Sequence, residues 1–170
     1  MASSKKPSPD DRIIENRKAR FDYAILDTIE VGIVLRGSEV KSVRDGQVSL
    51  NEGFVRAEMD PPQLLLHGVH IAEYAPSGRY VLGSGGSGGG SQHRPTRTRV
   101  LLAHKKEIVR LAKQFGEKGV SIVPLKLYFK NGYAKLLIGV GKGKSKHDKR
   151  QSIGKREAER DIQRAMSRRV

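Results

Sequence analysis

The chain has 170 residues, with 33 Lys and Arg against 18 Asp and Glu, a formal net charge of +15. That excess favours polyanionic partners over small neutral substrates, and the absence of cysteine excludes disulfide frameworks and thiolate metal sites. No run is long enough to span a membrane, and the polar start MASSKKPSPDD lacks the apolar stretch of a signal peptide, so a soluble, cytoplasmic protein is expected. Residues 1–15 are polar and are expected to be flexible. From Phe21 to Leu35 the apolar residues alternate (Phe21, Tyr23, Ile25, then Ile29, Val31, Ile33, Leu35), and a period of two predicts strand with one buried face. Asp27 interrupts that face and Gly32 permits a bend, so the stretch is either two strands or one strongly curved strand. Ser38 to Gly46 suits a short helix, capped by Ser38 and ended by Asp45-Gly46. Val48 to Ala57 and Leu64 to Ile71 read as strands on either side of the turn-forming Asp60-Pro61-Pro62.

Residues 83–91, GSGGSGGGS, form a flexible coil that is either an engineered linker or a natural low-complexity loop, and carry no chemistry. The basic segment His93 to Arg99 leads to an amphipathic helix whose Ile108, Leu111, Ala112 and Phe115 share a face, ending near Gly116 or Gly119. Between Ile122 and Val140, Asn131-Gly132 separates two apolar runs and predicts a two-residue hairpin turn. That register pairs Lys130 with Tyr133, Phe129 with Ala134, Tyr128 with Lys135 and Leu127 with Leu136. Val123, Leu125, Leu127, Phe129, Ala134, Leu136, Ile138 and Val140 then make a core face, with Lys126, Tyr128, Lys130, Tyr133 and Lys135 opposite. Pro124 marks an edge or a bulge. About six strands with one short and one longer helix predict a mainly β fold, a closed or partly open barrel of OB type.

The Lys–Tyr face of the hairpin can stack bases on rings and meet phosphates with ammoniums, or it can be a solvated outer face with ordinary cross-strand pairs. Gly139 to Ser145, GVGKGKS, lacks phosphate-loop spacing, because Ile138 stands where the pattern needs glycine. His67 and His70 would point to opposite sides of a strand and have no third ligand, so no metal is expected. His104 suits a helix cap or the surface. No carboxylate pair or nucleophile–base arrangement is evident, and a non-enzymatic protein without cofactor is expected. From Lys142 onward, eleven Lys and Arg face four carboxylates, with Ile153, Ile162, Met166 and Val170 as the apolar residues. Such a tail is expected to be disordered when free and to order on a polyanion.

The segments NRKAR (16–20), EVGIVLRGSEVKSVR (30–44), RTRVLL (97–102), VPLKLYFKNG (123–132) and GKGKSKHDKR (141–150), in that order, closely resemble the small protein B (SmpB) family, the bacterial transfer-messenger-RNA (tmRNA, SsrA)-binding proteins. The resemblance implies a six-stranded antiparallel OB-type barrel with three helices over 16–140, and a basic tail, 141–170, that becomes helical on the ribosome. It implies an adaptor of trans-translation and ribosome rescue. Such a protein binds the tRNA-like domain of tmRNA, acts as a monomer, and reaches stalled ribosomes with elongation factor Tu–GTP through the alanyl-tmRNA complex. The tail probes the empty mRNA channel. Carried onto this chain, the RNA-binding surface comprises Asn16, Lys18, Arg20, Glu30 and Gly32, with Lys41, Arg97 and Arg99 as further members, beside Lys126, Tyr128, Lys130 and Lys135 of the hairpin. Lys142, Lys144, His147, Asp148, Lys149, Arg150, Lys155 and Arg156 are assigned to the decoding site and mRNA channel. Ala158 replaces a common tail aromatic, and the Gly/Ser loop is longer than usual. The alternative is a generic basic ribosomal or RNA-binding protein without preference for tmRNA.

Overall fold

A computed structural model describes residues 12–74, 93–116, 119–145, 148, 157, 158 and 160–166. The Gly/Ser stretch at 83–91 lies outside them. The elements are β1 (Ile14–Glu15), α1 (Arg17–Asp22), β2 (Tyr23–Ile33), α2 (Gly37–Arg44), β3 (Val48–Ser49), β4 (Phe54–Met59), β5 (Pro62–His67), β6 (His70–Ile71), β7 (Arg99–Leu102), α3 (Lys105–Phe115), β8 (Val120–Lys130) and β9 (Tyr133–Gly143). Six of the strands close a ring, β8–β4–β5–β7–β2–β9 and back to β8, and every pairing is antiparallel. The mainly β, six-stranded barrel implied by the resemblance is therefore present. β3 and β6 form a separate two-residue ladder.

β2 alternates as its sequence predicts, with Val31 and Ile33 buried and Ala24, Leu26, Thr28 and Glu30 exposed. It is one strand rather than two, and the register shift between Ile25 and Asp27 supplies the curvature. The hairpin register is the expected one at all four pairs. Asn131 and Gly132 both take positive φ, 53° and 78°, which the right-handed twist of the flanking strands favours in a two-residue turn. The bulge signalled by Pro124 lies between Pro124 and Lys126. It turns Val123 and Leu125 away from the barrel interior, and they pack with Ala19 in a small second cluster instead of in the expected core face. The main core is Val31, Leu64, Leu66, Ile122, Leu127 and their neighbours, covered by Ile108 and Leu111 of α3. Phe115, expected on that helix face, is 38% exposed.

Several expected boundaries move for local physical reasons. Phe21 belongs to α1 and not to the strand, because Asn16 caps a helix there: its Oδ1 accepts the Ala19 N–H at 2.9 Å. Asn16 Nδ2 also donates to the carbonyls of Leu50 (2.8 Å) and Pro124 (3.0 Å). α2 begins at Gly37, where Glu39 accepts the Arg36 N–H at 2.7 Å, while Ser38 Oγ meets His93 Nδ1 at 2.9 Å instead of capping. The strand expected over 48–57 is broken by a turn at 51–52, and that over 64–71 by Gly68. The N-terminal segment expected to be flexible to residue 15 ends in order, since Ile14 and Glu15 pair with Leu127 and Lys126. Residues 141–143, assigned to the tail, extend β9, pairing with Ile25, Ala24 and Tyr23. The tail is expected to lack structure when free, yet its residues 160–166 are helical. Ile162 and Met166 are 60% and 69% exposed there.

Asn16 is 2% exposed and ties three segments together. Asn16→Ala is expected to lower the unfolding free energy by about 3 kcal/mol, from loss of the cap and of both buried Nδ2 hydrogen bonds. Urea unfolding measures it, and an unchanged midpoint would contradict the structural role.

Candidate nucleic-acid interface

The organising charge of this basic protein is a buried acid. Glu39 of α2 is 0% exposed. Its Oε1 accepts from Arg97 Nε (2.8 Å) and Arg99 Nε (2.9 Å), and its Oε2 from Arg97 Nη2 (2.5 Å). Burial alone would raise the Glu39 pKa, but the Arg97 guanidinium, the Arg36 N–H and the Arg99 charge outweigh it and hold the group below the usual carboxylate range. The remaining Arg99 donors go to the carbonyls of Val69 (2.8 Å), Arg97 (3.0 Å) and Pro95 (2.9 Å). Arg99, expected at the RNA surface, is fully buried with its donors occupied, and it clamps α2 to β7. Arg97 is partly exposed, and Glu39 takes two of its donors.

The outward side of β2, β9 and β8 carries the second group. Glu30 and Leu137 are directly opposite, as are Leu137 and Lys126; Gly32, Lys135 and Tyr128 form the next row. The Tyr128 hydroxyl donates to Glu30 Oε2. Lys130 Nζ lies 3.4 Å from both Glu30 oxygens. The Tyr128 bond holds the Glu30 carboxyl below its ordinary pKa against a smaller opposing effect of burial, with help from Lys130 and Lys135. The same contact pushes the Tyr128 phenol up to about 12. Glu30 thus gathers Tyr128, Lys130 and Lys135 into one constellation. Gly32 lies beside it, and a Cβ there would stand 3.2 Å from Leu102 Cβ. Its lack of side chain keeps open a shallow depression of about 380 Å³, lined by Glu30, Leu102, His104, Glu107 and Lys135. Lys126 faces the same side, ion-paired to Glu15 at 2.7 Å.

The first motif lies elsewhere. Tyr23, where α1 ends, is seven residues along β2 from Glu30, about 23 Å at strand rise. Lys18 and Arg20 are exposed on α1. Asn16, expected to touch bases or sugars, is buried and committed to backbone partners. Lys144 donates its N–H to Asp22 O (2.9 Å) and its ammonium to Arg20 O (3.1 Å), so the root of the tail is attached to α1. Asp148 accepts from Ser145 N (3.1 Å) and Ser145 Oγ (2.8 Å). Lys142 is exposed, whereas His147, Lys149, Arg150, Lys155 and Arg156 lie outside the described residues. Lys41 is exposed on α2, a third location.

Sequence reasoning missed Glu39 and Leu102. Glu39 sits in SEVK, which reads as a solvated helix, and the one available signal was an acid spaced to meet two arginines after a long insertion. Leu102, 58% exposed, lies in the RTRVLL segment, to which no strand or surface role was assigned. Among the described residues no group of His, Asp and Glu is arranged to hold a metal, and no helix is long and apolar enough to cross a membrane.

A family model described as SmpB protein matches residues 13–168. The chain is 48% identical over 164 residues to the SsrA-binding protein of Listeria welshimeri, covering 96% of this chain and 98% of the other. It is 47% identical over 160 residues to the SsrA-binding protein of Lactobacillus helveticus, covering 94% and 97%. It is also similar to a solved chain from "tmRNA-SmpB: a journey to the center of the bacterial ribosome", at 41% identity and a TM-score of 0.59, covering 83% of this chain and 94% of that one.

Two outcomes follow from the charges. Because the folded pKa of Glu39 is depressed, its contribution to stability is fully present above the unfolded value of about 4.3 and is lost as pH falls through the folded value. Glu39→Gln is expected to cost about 3–5 kcal/mol at neutral pH by stranding the buried Arg99. The gap to wild type should narrow in unfolding curves taken below about pH 4. Separately, Glu30→Gln is expected to return the Tyr128 phenol toward its ordinary value of about 10, read by ultraviolet titration against a Tyr128→Phe reference.

Proposed function

The chain belongs to the SmpB protein family, and on that premise we propose that it is the tmRNA-binding adaptor of trans-translation, working on stalled ribosomes in the bacterial cytoplasm. The observation that carries this reading is the outward sheet face on which Glu30 gathers Tyr128, Lys130 and Lys135. It is held on a closed ring of strands, so the face is preorganised before RNA arrives. The Glu30–Lys130 pair is largely exposed and holds weakly, so an incoming phosphate can compete for the ammonium. Tyr133 is 73% exposed at the hairpin tip and offers an open ring for stacking. Glu30 itself accepts hydrogen bonds, and a ribose 2′-hydroxyl or a base amine is the donor that RNA supplies. Lys18 and Arg20 on α1 add phosphate contacts near the tail root, and Gly32 and Leu102 form the apolar side of the depression.

The tail performs the second half of the work. Lys142, Lys144, His147, Asp148, Lys149, Arg150, Lys155 and Arg156 engage the decoding site and the mRNA channel, where closely spaced phosphates match a run of cations. Elongation factor Tu–GTP reaches the complex through the alanyl end of tmRNA, and the protein acts as a monomer with no catalytic residue or cofactor of its own.

The division is tested by truncation after Lys144, which leaves β9 and its α1 attachment whole. The truncated protein should bind the isolated tRNA-like domain within about twofold of the full chain at matched salt. It should fail to support peptide tagging on stalled ribosomes. Equal loss of both activities would defeat the two-part reading. Failure of the full chain to prefer tRNA-like RNA over competing ribosomal RNA would make it a generic basic RNA binder.

A further inference from the structure

We propose that an aliphatic ridge on the outer side of β7, built from Val34, Leu65 and Val100, is what discriminates the tRNA-like domain of tmRNA from duplex RNA, by packing on the uncharged faces of unstacked bases; this rests on the functional reading above. The register assembles the ridge. Gly32 is opposite Leu102 and Ile33 opposite Leu101, and one residue further the Val34 N–H donates to the Val100 carbonyl at 3.0 Å. On the other edge of β7, Leu65 lies opposite Val100. Ile33, Leu64, Leu66 and Leu101 are buried in the core, so the period of two puts Val34, Leu65 and Val100 together on the outward side. Val34 and Val100 are 45% and 44% exposed there. The ridge runs directly into the Glu30 face. Leu102, two residues from Val100 on the same side of β7, lines one depression with Glu30, Gly32 and Lys135. β7 is also the neighbour of β2 in the ring, so RNA seated on the Glu30 face reaches the ridge by bending around one strand.

The ridge is uncharged and its border is not. Arg97 Nη2 donates to the Val34 carbonyl at 3.3 Å, and Arg56, opposite Leu65, pairs with Glu58 at 3.5 Å. An exposed apolar strip inside a polar rim marks an interaction site. Aliphatic side chains offer nothing to a phosphate. They gain by taking apolar surface of the partner out of water. A duplex stacks its bases on one another and turns its phosphates outward, so it gives the ridge little to cover. A folded RNA with loops presents unstacked bases and ribose carbons, which the ridge can cover. The cations of the Glu30 face attract any RNA, in a manner that salt weakens. The ridge adds a term that salt does not weaken and that a duplex does not collect. An apolar protein surface is the other possible occupant, and the depression shared with Glu30 and Lys135 favours RNA.

The full chain is titrated with the isolated tRNA-like domain, and separately with a plain RNA duplex, over a series of salt concentrations. Val34→Thr/Val100→Thr keeps β-branched side chains on the strands but exchanges two buried methyl groups for hydroxyls. It is expected to weaken binding of the tRNA-like domain about tenfold. The slope of log K against log salt should stay at its wild-type value, because no phosphate contact is lost, and duplex affinity should stay within about twofold. Val34→Ala/Val100→Ala is expected to show the same pattern. Leu26→Gln, a control at another exposed apolar position of β2, should leave both affinities within about twofold of wild type. Unfolding midpoints of all variants verify that the barrel is intact. Wild-type affinity for the tRNA-like domain in both valine pairs would overturn the proposal. So would an equal loss on duplex RNA, or an equal loss in the Leu26 control. Intact RNA affinity with lost peptide tagging would assign the ridge to a protein or ribosomal surface and likewise overturn it. If the wild-type chain itself shows no preference for the tRNA-like domain over the duplex, the functional reading fails instead.

Discussion

Strand β8 uses both of its edges. β9 runs along one, and β4 and then β1 divide the other. Because β9 also pairs with β2 over nine positions, this double use closes the ring. Closure removes open edges from the ring, and open edges invite misplaced pairing. It also fixes the spacing of the outward rows. Tyr128 reaches Glu30 across an intervening strand because the register places Gly32, Lys135 and Tyr128 in line, with Glu30 one pleat away. A single-residue slip would turn Tyr128 and Lys135 inward. The hairpin turn and the Pro124 bulge, two local features, therefore determine which side chains the outward face presents.

The surplus of positive charge divides into distinct physical classes. Arg99 is structural: removed from water, it is tolerable only because Glu39 and three carbonyls satisfy it. Arg97 is half-committed to the same acid. Lys41 and Arg44 rest on rings. Lys130 is held loosely by Glu30 and Lys126 by Glu15. Two acids on the outward face of an RNA-binding protein look counterproductive until non-specific affinity is considered. Every unpaired surface cation adds sequence-independent attraction to any phosphate chain. Partners such as Glu30 and Glu15 weaken that background and fix side-chain orientation, which favours one RNA shape over another.

Much of the fold was legible because its cues are local. Alternation in β2, the Asn131-Gly132 turn and the α3 face are read over a few residues, and each appears where expected except for Phe115 at the end of α3. Asn16 shows where locality ends. Its short helix spans six residues, too few for periodicity to announce itself, and two of its bonds reach residues 34 and 108 positions away. Nothing near it in sequence distinguishes a buried cap from an exposed RNA ligand. Arg99 is the same case. Its family motif marks it as important, but importance does not separate holding the fold from touching the partner. Glu30 was easier to place, because an exposed strand position follows directly from the period of two.

The barrel and the start of the basic C-terminal segment are joined by a specific chain of contacts. Asn16 caps α1 and pins it to Leu50, just before the 51–52 turn, and to the bulge at Pro124. α1 in turn offers the carbonyls of Arg20 and Asp22 to Lys144, one residue beyond the end of β9. The point at which the backbone leaves the barrel, and its direction there, are thus set by a residue 128 positions earlier in sequence. A tail attached through a slack linker would sample all directions, and its effective concentration at any groove would fall with linker length. Anchoring the root to α1 removes that slack. Once the barrel is seated on its RNA, the segment that follows Lys144 starts from a defined place.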